Sequence, residues 1–199
     1  FGGVLRGEPF SLWAGPVSLA MGIEHRYTGS FGVAPPADIA SGHFLGNYHP
    51  TIGNNEDTEG FIETVVPLAH ETTWARELDV NAALRETSYK VGGAVTTFKV
   101  GATYDAPDGA LEGIRVRGTY SRDIRAPSLG DLFAGGRVGQ GVQFDPFRNL
   151  SVPNVLSPQI GNPKLTPEIA HQTGAGVVYS PTWFPGFDVS FDAFNIDIK

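Results

Sequence analysis

Side chains able to do chemistry are sparse in this 199-residue chain, and few are spaced to act together. There is no cysteine, which excludes disulfides, thiolate catalysis and cysteine-held zinc or iron–sulfur centres. His43 and His49, with Asp38 or Glu56-Asp57, form the one candidate metal cluster, but their spacing matches no ligand motif. No metal and no cofactor is therefore expected. A nucleophile elbow, a phosphate-binding loop and a paired-carboxylate signature are all missing, and Gly2-Gly3 and Gly135-Gly136 precede no helix. The chain reads as a non-enzyme. What remains is recognition chemistry. His43, Tyr48 and His49 lie in the segment 29–58, and Arg125, Phe133, Arg137, Phe144, Phe147 and Arg148 in the segment 124–167. Aromatic rings there can stack on flat ligands, and a guanidinium can grip an anionic chelate through paired hydrogen bonds. The competing reading is that the rings only pack the loops together.

The elements that must position these residues are strands. The chain has 26 Gly and 15 Pro, roughly a fifth of its length, which points to a turn-rich β protein. Leu78, Val80, Ala82 and Leu84 interleave with Asp79, Asn81, Ala83 and Arg85. The same period of two runs through Val17, Leu19, Met21 and Ile23, through Phe98, Val100, Ala102 and Tyr104, and through Ile114, Val116 and Tyr120. Each strand so written separates an apolar environment from a wet one. Eight strands are expected near 2–10, 16–28, 59–70, 77–88, 94–105, 112–123, 168–180 and 187–199. At about 10–13 residues, most have the length with which a tilted strand crosses a bilayer.

Pro/Gly-rich turns at 13–16, 106–109 and 180–186 contrast with two long connections, near 29–58 and 124–167. Up-and-down order puts the tight turns at one end and both long loops at the other, the asymmetry of outer-membrane barrels. Trp13, Trp74 and Trp183 fall at the tight-turn end, and Tyr27, Tyr89 and Tyr120 near the other, as interfacial aromatic belts would. One helical turn is expected at 127–133. The wet face carries Glu24, Arg26, Asp79, Asn81, Arg85, Lys99, Arg115, Arg117 and Asp192, which would face the barrel lumen. An Arg on the lipid face near mid-membrane would cost about 2–4 kcal/mol. The net charge of −7 excludes a nucleic-acid binder.

Four segments in order carry a family resemblance. Leu111 to Phe133, with Arg117-Gly118-Thr119-Tyr120-Ser121-Arg122 and Arg125-Ala126-Pro127-Ser128, resembles a barrel segment of TonB-dependent outer-membrane receptors. Gly161-Asn162-Pro163-Lys164-Leu165-Thr166-Pro167-Glu168, Glu63 to Leu68 and Ala20 to Arg26 are similar to others. Many relatives carry a Cys after Asp-Pro in the long loop, whereas Asp145-Pro146 is followed here by Phe147. The resemblance implies an all-β, antiparallel, up-and-down transmembrane β-barrel, of which residues 1–199 are a fragment of about eight strands from a larger plugged barrel. It implies capture of an iron–siderophore, a cobalamin or an oligosaccharide in the bacterial outer membrane. Its partners would be the plug domain absent from this chain, TonB acting through that plug, and outer-membrane lipid. Two alternatives stand beside it. One is a complete eight-stranded outer-membrane barrel, passive or structural, which would pair its first strand with its last. The other is a soluble carbohydrate-binding β-sandwich, which would bury its apolar faces in a core.

Overall fold

Alternation with few helix formers gives a chain of strands. The structure, a computed structural model, describes residues 1–43 and 46–199. Its main strands are β1 (Gly2–Leu12), β2 (Gly15–Phe31), β4 (Ile52–His70), β5 (Glu77–Tyr89), β6 (Gly93–Asp105), β7 (Ile114–Arg125), β10 (Glu168–Tyr179) and β11 (Val189–Ile198). They form one antiparallel sheet in the order β1-β2-β4-β5-β6-β7-β10-β11. All eight expected strands are present. β1 and β11 are its two unpaired edges, so the barrel is not closed and the eight-stranded closed alternative does not hold. Among the described residues no second sheet packs on it, which removes the sandwich.

Helix α1 (Pro36–Ile39), strand β3 (Asn47–Tyr48), helix α2 (Leu129–Phe133), and strands β8 (Arg137–Asp145) and β9 (Leu150–Gln159) lie in the two long connections. The helical turn expected at 127–133 is therefore present as α2. The two connections themselves differ from expectation. β2 and β4 run on to Phe31 and back to Ile52, which shortens the first loop. Asn54, Asn55, Glu56, Asp57 and Thr58 are polar on both faces, so this stretch of β4 carries no alternation. The 90–92 turn, with Gly92 and Gly93 at φ +113° and +79°, is also tight yet sits at the long-loop end.

Cross-strand partners share a face. The register puts Glu24, Arg26, Glu59, Glu63, Asp79, Asn81, Arg85, Lys99, Arg115, Arg117 and Asp192 on one face. Leu19, Met21, Ile23, Ile62, Val80, Leu84, Val100, Phe98, Val116, Val177 and Phe191 share the other. Neither face is covered. Among the described residues the buried apolar side chains are only Ala14, Val17, Ala69, Ala75, Ala106 and Leu132. In water so much exposed apolar surface would be prohibitive. Tyr27 and Tyr120 are on the apolar face, whereas Tyr89, the partner of Asp57, is on the polar one.

The apolar run also reports the strand tilt. Toward the long-loop end it gives way to polar side chains at His25, Thr58, Glu86, Thr96, Arg122, Thr173 and Asn195 on successive strands. Thr64, inside the run, donates its hydroxyl to the Ser18 carbonyl at 3.0 Å. His25 and Thr58 are partners, but the row of Asn195 leads back through Thr173, Tyr120, Val100, Ala82 and Thr64 to Leu19. The boundary thus slips by about one residue per strand. A rise of ~3.4 Å against a spacing of ~4.8 Å inclines the strands by about 35° to that boundary, near the tilt of a membrane barrel.

The tight-turn end is locked by charge. Asp105, 2% exposed, accepts from Arg115 at 2.5 and 2.7 Å and from Arg76 at 3.4 Å, tying the β4–β5 turn to β6 and β7. Arg76 also donates its backbone N–H to the Asp105 carbonyl at 2.9 Å. Asp105→Ala is expected to lower stability by about 1.5–3 kcal/mol, the range for hydrogen bonds to charged groups. The denaturant midpoint of the barrel in detergent measures this.

Candidate functional site

The polar face is two regions with different electrostatics. On the β7–β10–β11 side its arginines are committed. Arg117 reaches across β10 to Asp192 with contacts of 2.6, 2.7 and 2.9 Å, and Arg125 meets Glu168 at 3.4 Å. Gly176 lies between Arg117 and Asp192 in the register, and a Cβ there would collide with the Asp192 carboxylate. Glycine is what lets the ion pair lie flat on the backbone. Nearer the long loops Arg26 pairs with Glu24 at 2.6 Å. Arg85 pairs with Glu59 at 3.0 Å while stacking 5.1 Å above the Phe61 ring.

Toward β1 the charges are uncommitted. Arg6, Ala20, Glu63, Ala83 and Lys99 occupy one cross-strand row. Arg6, Glu8, Glu63 and Lys99 make no ion pair or side-chain hydrogen bond among the described residues. Here alanine, not glycine, separates the charged strands, and no pair forms over it. These residues line a trough of about 740 Å³ together with Ser18, Val65 and Asn81. Such a surface offers anion and cation contacts to whatever lies against the polar face. Lys99 was legible as a wet-face charge; the roles of Arg6 and Glu63 emerge only from the register.

The two long connections fold together. Asn47 and Tyr48 of β3 pair with Val138 and Arg137 of β8, and β8 pairs with β9. His49 donates its backbone N–H to Gly136 at 2.8 Å, and Gly135 donates to the Thr51 hydroxyl at 3.2 Å. α2 is anchored by Leu132, 1% exposed, and by Phe133, whose ring occupies the space a Cβ at Gly53 would need. Ser128 and Asp131 cap it reciprocally: Ser128 Oγ accepts from the Asp131 N–H at 3.1 Å, and Asp131 accepts from the Ser128 N–H at 2.9 Å. Those Ser128 donors, backbone N–H first and hydroxyl second, hold the Asp131 carboxyl below the ordinary carboxylate range.

The candidate loop residues fall into separate places. Tyr48 and Arg137 are cross-strand partners beside His49, and Arg137 also donates to Gln159 at 3.1 Å. Phe144, Phe147 and Arg148 sit at the β8–β9 tip, where Asp145 accepts the backbone N–H groups of Phe147 and Arg148 at 2.9 and 3.2 Å. Phe147 is 98% exposed there. His43 lies before β3, with Nε2 3.4 Å from Asp38, and its backbone is held by the Asn47 side chain. Among the described residues no group of three or more His, Asp or Glu is placed to hold a metal ion.

The family described as TonB dependent receptor-like, beta-barrel matches residues 4–199. The fold is similar to that of the siderophore receptor PirA from Acinetobacter baumannii, with a TM-score of 0.71 at 16% identity. It is also similar to a mutant form of the ferric enterobactin receptor PfeA from Pseudomonas aeruginosa, with a TM-score of 0.67 at 15% identity. Both likenesses cover 100% of this chain and 26% of the other, so the chain spans about a quarter of the length of these structures. No curated protein matches in sequence.

Two outcomes follow from the geometry. Gly176→Val forces the Arg117–Asp192 pair apart: effects of Arg117→Ala and Asp192→Ala, coupled in the parent, become additive in that background. A double-mutant cycle reads this directly. The α2 cap is intact above the unfolded Asp value of about 3.9 and is lost as pH falls through the lower folded value. The mobility of a spin label on α2 follows that transition, and Asp131→Asn abolishes its pH dependence.

Proposed function

The chain belongs to the TonB-dependent receptor-like β-barrel family, and from that premise we propose that it is one arc of the barrel of a bacterial outer-membrane receptor. The whole receptor captures a scarce ligand outside the cell and imports it with energy delivered by TonB. The observation that carries this reading is that the family match spans the same open, two-faced sheet that leaves its apolar side uncovered. The apolar face meets lipid, with Trp13, Trp74 and Trp183 at the headgroups of the tight-turn end. Glu24, Arg26, Asp79, Arg85, Lys99, Arg115 and Arg117 face a lumen occupied by a plug domain, through which TonB acts. The joined loops stand outside the cell, and His43, Tyr48, His49, Phe133, Arg137, Phe144, Phe147 and Arg148 are the ligand-contacting candidates. A ferric siderophore is favoured over cobalamin or an oligosaccharide, because the two similar structures are described as siderophore and ferric enterobactin receptors.

Uptake by cells carrying the whole receptor tests the proposal. Radiolabelled ferric catecholate and hydroxamate complexes, cobalamin and a maltooligosaccharide are offered in strains with and without TonB. Import of an iron complex that vanishes without TonB is expected; uptake indifferent to TonB contradicts the reading. Arg137→Ala is expected to weaken capture of that complex about tenfold, or ~1.4 kcal/mol, measured as binding to whole cells.

A further inference from the structure

Asn54, Asn55 and Glu56, at the long-loop end of β4, all hold partners from elsewhere in the chain. Three connections meet at that end of the sheet: 32–51 between β2 and β4, 90–92 between β5 and β6, and 126–167 between β7 and β10. Lys90 Nζ donates to Asn54 Oδ1 and pairs with Glu56 Oε1, each at 2.8 Å, and its backbone N–H donates to the Glu56 carbonyl at 2.8 Å. Asn55, whose side chain leaves the opposite face of the strand, accepts the Val91 N–H at 3.1 Å. On that same face the Phe133 ring lies against the bare Cα of Gly53. The end of β4 is thus gripped from both sides.

The fastenings also join one another. Thr51 accepts the Gly135 N–H on its hydroxyl at 3.2 Å, and Gly135 fits against the Pro50 carbonyl with no room for a Cβ. That links the first connection to the third. Gly161 donates to the Ala134 carbonyl at 2.9 Å and Asn162 to the Asp131 carbonyl at 2.7 Å, so the stem leading to β10 is held to α2. Farther along that stem, Pro167 and Leu165 lie 3.6 and 3.8 Å from where a Cβ on Gly92 would sit, which links the third connection to the second. A circuit therefore runs from 50–51 through α2 and 161–167 to the 90–92 turn, and returns to β4 at 54–56. Local opening proceeds in contiguous cooperative units rather than residue by residue. In a closed circuit, withdrawing one link strains the next: pulling Phe133 off Gly53 frees the strand end that holds Lys90.

We propose that the three connections form one cooperative unit built on the end of β4, with Phe133 and Lys90 as its two fastenings. Loosening one connection loosens the other two, and a contact that orders one orders all three. The device works within this chain and does not depend on which ligand is carried.

Hydrogen exchange of the whole receptor in neutral detergent, read by mass spectrometry, tests it. Ala82 and Val100, partners in the β5–β6 ladder, serve as controls for the sheet. In Phe133→Ala the amides of Lys90 and Val91, in a different connection, are expected to exchange at least tenfold faster. In Lys90→Met the amide of Gly135 is expected to exchange at least threefold faster. Ala82 and Val100 keep their wild-type rates in both. Acceleration confined to the connection that carries the substitution, in either variant, overturns the proposal. If Phe133→Ala also speeds the control amides, the sheet itself is damaged, and Lys90→Met, at an exposed side chain, decides alone.

Discussion

Backbone pairing is the constraint from which the rest follows. A strand whose side chains face an apolar medium can satisfy its N–H and C=O groups only through neighbouring strands. Six of the eight main strands have a partner on both sides, while β1 and β11 each have one. Those two edges leave the sheet open, as in a partial barrel and unlike a small closed one. The same constraint removes the need for a core. With both faces of a single layer in use, apolar side chains remain exposed along one face, and among the described residues apolar burial is confined to Ala14, Val17, Ala69, Ala75 and Ala106 near the turns and to Leu132 under the loops.

Given that scaffold, the polar face is tuned by what lies between charged strands. Gly176 lets Arg117 and Asp192 close over the backbone, whereas Ala20 and Ala83 separate Arg6, Glu63 and Lys99. Committed pairs lie on the β7–β10–β11 side and near the long loops, and isolated charges line the trough beside them. Arginine suits the first task, because its fork holds a carboxylate through more than one hydrogen bond. The loops obey a third logic. Their order comes from a short sheet and a capped helical turn that join two connections distant in sequence.

The main strands were legible because their two environments differ, so that each side chain records which face it occupies. Legibility ended where that difference ended. Asn54–Thr58 of β4 is polar on both faces and reads as loop in sequence, although the ladder continues from Thr28 paired with Asn55 to Phe31 paired with Ile52. β9 contains Pro153 and Pro158, which argue against a strand, yet it pairs only with β8 and so can lack those N–H groups. β3 has two residues and no sequence signal; only its partner in β8 makes it a strand. The wet-face charges could be named singly from alternation, but which of them pair depends on register across strands 75 residues apart, as with Arg117 and Asp192.

The central claim is that the two faces of this sheet meet different media. Single spin labels at successive positions of 78–85 in the whole receptor, reconstituted in lipid, test it most directly. Accessibility to lipid-soluble oxygen should peak at Leu78, Val80, Ala82 and Leu84 and fall at Asp79, Asn81, Ala83 and Arg85, with period two. A flat profile, or maxima at the charged positions, would contradict the account.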